Sequence, residues 1–232
     1  MFSVLDMFTI GVGPSSSHTV GPMCAAQAFA SSLEESGAVS RVGRIRVVLY
    51  GSLSLTGLGH GTDRAILAGL EGNVPATVDT DYLLSVRERC AHDGTIHVNG
   101  TNAIAYDDDG DMVFDRWKRL APHPNGMRFQ AFDAQGNIID EQVWYSIGGG
   151  FIRRGRIDDA LISNHEQTPA SSQSPEDSGN DEAAEYGDGV PYPFVSCDGL
   201  IDLCRKHHLS IADVVWANET ARQIGRASCR ER

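Results

Sequence analysis

The chain has 232 residues, 41% of them hydrophobic, enough for one substantial core and a second small domain. Its 19 Lys and Arg against 31 Asp and Glu give a formal charge of -12, which argues against a nucleic-acid partner. No apolar stretch approaches the roughly 20 residues of a bilayer-spanning helix, and the start MFSVLDMF lacks the basic residues of a secretory signal, so a cytoplasmic location without a membrane partner is expected.

The first informative stretch is Gly11-Val-Gly-Pro-Ser15-Ser16-Ser17-His18-Thr19-Val-Gly-Pro-Met23, a hydroxyl cluster and a histidine in a turn bounded by glycine and proline. Hydroxyls here can accept from the free amides of a helix's first turn or donate to a carboxylate, and a helix N-terminus adds partial positive charge. One such hydroxyl is an ordinary helix cap. Three consecutive serines beside His18 exceed what one cap requires, and a small carboxylate fits their chemistry. The helix itself is legible in the three- and four-residue spacing of Met23, Ala26, Ala30 and Leu33, with Phe29 beside them and Gln27, Ser31 and Glu35 on the other face. Pro22 is acceptable in its first turn.

A strand is predicted over 44–50, followed by a glycine-rich turn, Gly51 to Gly61, that carries His60, and then a short apolar helix over about 63–71. Thr62 or Asp63 is the expected cap of that helix. Further strands are predicted near 111–115, 127–133 and 138–147, with Gly110 and Gly136 at the turns and Asp107, Asp108 and Asp109 leading into the first of them. His123 and Asn125 lie in a proline-stiffened turn that is either an ordinary solvated turn or within reach of a ligand.

Residues 157–188 hold nine acids and no Lys or Arg, leaving only -3 for the rest of the chain. Polar and rich in Ser, Pro and Gly, they read as a solvated, flexible linker. Beyond it, Cys197 to His208 and Ser210 to Arg222 read as two short helices capped by Ser196 and Ser210. Residues 224–232 abandon the pattern and are read as a non-native tail. The fold class expected is α+β: a small mixed α/β domain over 1–155, an acidic linker over 156–189, and the start of a helical domain over 190–223.

Cys24, Cys90, Cys197, Cys204 and Cys229 are scattered and odd in number, so no disulfide framework is expected. Cys197 and Cys204 share a helix face, yet two thiols do not complete a four-cysteine cluster. The two lysines, Lys118 and Lys206, stand among other charges, so a pyridoxal phosphate Schiff base is not expected.

Six segments in order, GPSSSHTVGPM at 13–23, YGSLSLTGLGHGTD at 50–63, GNVPATVD at 72–79, HPNGM at 123–127, WYSIGGGFI at 144–152 and VPYPF at 190–194, resemble the iron-sulfur-dependent bacterial L-serine dehydratases, or L-serine ammonia-lyases, of the single-chain type. The resemblance runs to about residue 223. It implies a beta-type N-terminal domain, similar to the allosteric substrate-binding domain of some phosphoglycerate dehydrogenases, ahead of a truncated helical catalytic domain. It also implies L-serine as substrate, a 4Fe-4S cluster whose cysteines lie beyond this chain, no metal on the fragment itself, and a homodimer when complete. Transferred to this sequence, it makes His18 and His60 the candidates for proton transfer, without choosing between them, and has Ser15, Ser16, Ser17 and Thr19 either orient the substrate carboxylate or line the interdomain cleft. A regulatory serine-binding module without catalytic groups is the alternative.

Overall fold

The computed structural model describes residues 10–164, 190–194 and 196–221, which fall into two compact units, one on each side of the acidic segment. The first is α+β. Helix α1 (Gly21–Glu35) is followed by strand β1 (Arg44–Tyr50), and then by helices α2 (Gly51–Thr56), α3 (Thr62–Leu70) and α4 (Thr80–Asp93). Strands β2 (Thr95–Val98) and β3 (Asn102–Ala105), the helical turn α5 (Asp108–Asp111), and strands β4 (Met112–Asp115) and β5 (Lys118–Leu120) come next. The unit closes with β6 (Gly126–Phe132), β7 (Ile138–Gly148), β8 (Phe151–Arg154) and β9 (Leu161–Ser163).

The main sheet is mixed, ordered β2-β3-β1-β6-β7-β8, with β4 pairing in parallel with the second half of β1. Alternation in β1 sends Ile45, Val47 and Leu49 into the core, where they meet Ala26, Phe29, Ala30 and Leu33 of α1 and Ile66, Leu67 and Leu70 of α3. The α1 stripe read from the sequence is thus the packed face. Tyr50, on the opposite face of β1, joins Leu120, Val143 and Tyr145 in a smaller core. Strand β7 shows the same two-sidedness: Gln142 donates to Ser32 Oγ of α1 at 2.8 Å, while Tyr145 on the other face donates to Asp159 at 2.6 Å.

Three expectations are corrected. The glycine-rich turn after β1 is helical: α2 starts directly at Gly51 and a 3-10 turn covers Gly57–His60. Neither Thr62 nor Asp63 caps α3, because its N-cap is Gly61 in the left-handed region, φ 66°, and both side chains are engaged elsewhere. Residues 156–164, placed at the head of the linker, belong to the first unit, since β9 pairs antiparallel with β5. The rest of the acidic segment, from 165 to 189, and the tail over 224–232 lie outside the described residues.

The second unit contributes α6 (Cys197–His207) and α7 (Ile211–Ala221). Ser196 accepts from the Gly199 amide and Ser210 from the Asp213 amide, both at 3.1 Å, as their capping roles require. Asn218 brackets Tyr192, accepting from its amide and donating to its carbonyl. No helix among the described residues is long and apolar enough to cross a membrane.

Candidate active site

The hydroxyl cluster is the helix's first turn, not a loop ahead of it. Residues Ser16–Val20 form a π-helical turn that runs directly into α1, with the amides of Val20 and Gly21 reaching back five residues to Ser15 and Ser16. Ser15, in extended conformation, caps the turn: its Oγ accepts from the His18 amide at 3.1 Å. The amides of Ser16 and Ser17 have no acceptor among the described residues, the normal state of a helix's first donors.

The long-range contacts of this turn explain why distant segments share the site. Thr19 Oγ1 donates to the His60 carbonyl at 2.8 Å, and Thr62 Oγ1 donates to the His18 carbonyl at 2.5 Å. These reciprocal bonds tie the two histidine-bearing segments together and set the imidazole centroids 5.0 Å apart, tilted by 42°. Thr19, expected among the carboxylate ligands, is only 1% exposed and serves as this tether. Ser15 and Ser17 are half-buried and Ser16 is exposed.

His18 carries a hydroxyl on each nitrogen: Ser17 Oγ at 2.9 Å from Nδ1 and Ser52 Oγ at 3.0 Å from Nε2. Burial first, and then the neighbouring His60, hold its imidazole below the usual histidine range, so it is neutral at neutral pH. His60 is bound differently. Its Nδ1 lies 2.9 Å from the Thr56 carbonyl, which can only accept, so Nδ1 carries the hydrogen. In the neutral ring the lone pair is therefore on Nε2, which has no partner among the described residues.

The loop His123-Pro-Asn-Gly126 closes one side. The Ser52 amide donates to the Pro124 carbonyl at 2.9 Å, and the Asn125 carbonyl and Nδ2 bond the amide and carbonyl of Ser146. His123 Nδ1 accepts from the Asn125 amide at 3.1 Å, and burial, followed by Arg153, lowers its pKa. Ser146 itself is fully buried, its hydroxyl without a partner among the described residues, and packed so tightly on Gly21 that a Cβ there would lie 2.1 Å from Ser146 Oγ.

Beside the site, Asp63 is held by Arg87 of α4 at 2.5 Å, and Arg87 also pairs with Asp108 at 2.8 Å. Ser52, Thr62, Ser146 and Arg87 were not singled out from the sequence as site residues, Thr62 being expected only as a helix cap. The first three lie in segments that were, but hydroxyls in glycine-rich runs carry no local mark of their partners. Among the described residues, no three His, Cys, Asp or Glu side chains stand together as metal ligands. Cys24 and Cys90 lie in α1 and α4 of the first unit, and Cys197 and Cys204 in the second. Among the described residues, neither unit by itself holds the four thiolates of a four-cysteine cluster.

The class that the geometry defines is a small α+β unit that presents two imidazoles and a set of hydroxyls at a helix N-terminus. Comparison with known proteins makes the class specific. The sequence matches the serine dehydratase beta chain family over residues 3–156, and the chain belongs to that family. It is 41% identical to the L-serine dehydratase of Streptomyces coelicolor over 219 residues, covering 94% of this chain and 44% of that protein. L-serine dehydratase 1 of Escherichia coli (strain K12) is 39% identical, with 95% and 44% covered, and the Helicobacter pylori (strain J99) L-serine dehydratase 36%, with 95% and 43%. The chain spans less than half the length of these relatives.

Proposed function

We propose that this chain supplies the carboxylate-holding and proton-handling part of an L-serine ammonia-lyase, which as a complete protein converts L-serine to pyruvate and ammonia. The observation that carries this reading is the imidazole pair at 5.0 Å beside two open helix-start amides. The Ser16 and Ser17 amides, with the Ser15 and Ser17 hydroxyls, are donors for the substrate carboxylate at the positive end of α1. His60, its Nδ1 hydrogen committed to Thr56, offers the Nε2 lone pair to the serine Cα proton. The charge it then carries faces a neutral His18, which burial keeps from competing for the proton. Loss of the Cα proton and the β-hydroxyl leaves aminoacrylate; its imine tautomer takes up one water and releases ammonia, leaving pyruvate. Family membership implies a 4Fe-4S cluster in the complete enzyme, held by residues other than those described.

The test is a chimera joining this chain to the C-terminal half of the Streptomyces coelicolor relative. A positioned proton carrier is worth about 100- to 10,000-fold in rate, so His60→Asn is expected to lower kcat at least 100-fold with little change in KM. A wild-type kcat at saturating serine, with only a raised half-saturation, would overturn the reading in favour of a serine-binding regulatory module.

A further inference from the structure

Helix α2, which follows β1 without a break, orients both imidazoles. Its Ser52 hydroxyl lies 3.0 Å from His18 Nε2, and its Thr56 carbonyl accepts from His60 Nδ1. Ser52 is placed independently of His18. Its amide donates to Pro124 at 2.9 Å and its carbonyl accepts from Thr56 Oγ1 at 2.9 Å. Gly51 before it has φ 56°, and a Cβ at that position would lie 2.3 Å from the Pro124 carbonyl, so β1 enters α2 by one tight route. The hydroxyl is thus delivered by strand, loop and helix together.

On the other edge of the ring, Ser17 Oγ lies 2.9 Å from Nδ1. A neutral imidazole has one N–H and one lone pair, so the two hydroxyls must take complementary roles, one accepting and the other donating. Reversing the order requires both hydroxyls to turn and the ring proton to change nitrogen. Rotating the ring about its Cβ–Cγ bond breaks both bonds at once.

We propose that Ser52 is a positioning residue: its hydroxyl, across the ring from that of Ser17, locks the His18 ring in one orientation, and so fixes the face that His18 turns to His60. This inference rests on the proposed proton-transfer reading, since a fixed His18 matters to the rate only if the imidazole pair handles the substrate proton. The Ser17 hydroxyl alone cannot do this. It is adjacent in sequence to His18 and moves with the same turn, whereas Ser52 is 34 residues away and belongs to the opposite wall.

The experiment has two arms. In the first, the chain carrying 15N-labelled histidine is examined by NMR at pH 7.5, where the ring resonances report whether the His18 ring is held in one orientation by its hydrogen bonds. The native chain is expected to show one sharp set of His18 ring resonances, and Ser52→Ala a shifted and broadened set, with Ser52→Thr restoring the native one. In the second arm, the chimera carrying Ser52→Ala is expected to lose about 10- to 100-fold in kcat with KM within twofold, as for a displaced reacting group, and Ser52→Thr to recover most of it. Unchanged His18 ring resonances in Ser52→Ala overturn the inference on geometry. A loosened His18 ring with unchanged kcat also overturns it, through the functional reading on which it rests. Should Ser52→Ala fail to fold, Ser52→Cys keeps the volume but bonds weakly, and the same two measurements apply.

Discussion

Gly21 is where the site turn meets the sheet, and Gly21→Ala sets two effects of opposite sign against each other. Gly21 has helical torsions, φ -58° and ψ -50°, so alanine should gain up to about 1 kcal/mol from reduced backbone entropy in the unfolded chain. Against that, the new methyl would lie 2.1 Å from Ser146 Oγ and 2.8 Å from its Cβ. Both residues are buried, Ser146 with no exposed surface, so neither can swing aside into solvent. Overpacking of this kind costs about 1–3 kcal/mol, and here it also pushes α1 off β7, so we expect a net loss of about 1–2 kcal/mol. Ser146→Gly removes both clashing atoms. In that background Gly21→Ala should regain its propensity benefit, giving a coupling of about 1–3 kcal/mol in a double-mutant cycle. Urea denaturation of the four proteins measures this, with an unchanged m-value required for the comparison. The reasoning is refuted if Gly21→Ala alone is neutral or stabilising, or if its cost persists in Ser146→Gly.

The lowered pKa values of His18 and His123 make stability decrease as the pH is lowered: below the ordinary value of 6.5 the unfolded chain binds protons that the folded chain resists. The urea midpoint should therefore drop between about pH 7.5 and 5, and the double variant His18→Gln, His123→Gln should flatten that slope; an unchanged slope would contradict the assignment. Arg87→Ala leaves the Asp63 carboxylate, 5% exposed, without its cation. Removing one partner of a fully buried pair costs about 3–5 kcal/mol; because Arg87 is itself 29% exposed, we expect about 2–3, measured by the same denaturation, and a loss below about 0.5 would show that water replaces it.

Much of the scaffold was legible because its causes are local. The apolar steps of α1 and the alternation of β1 follow from residue spacing, and each buries the face that the spacing indicates. By contrast, α4, β2 and β3 escaped notice. Helix α4 buries only Leu83, Val86 and Cys90 and leaves Leu84 exposed, which blurs its apolar stripe, and the two strands are four residues each, too short for a periodic signal. Helix α2 was read as a turn because Gly51, Gly57, Gly59 and Gly61 surround it. Gly51 and Gly61 do adopt left-handed torsions at the two ends, but the six residues that begin at Gly51 pack as a helix against β1 and β4.

What the sequence determined by itself is chemical: hydroxyls at a helix start, two histidines on separate segments, and the order of motifs that marks the family. Only the tertiary structure decided who touches whom. Ser52 and Thr56 each orient one imidazole, Thr19 ties the His60 segment to the His18 turn instead of facing a ligand, and Ser146 closes on Gly21 from 125 residues further along the chain. The physical reason is that a hydrogen bond or a close contact depends on ångström-scale placement, and that placement is set by sheet register and helix packing between segments far apart in sequence.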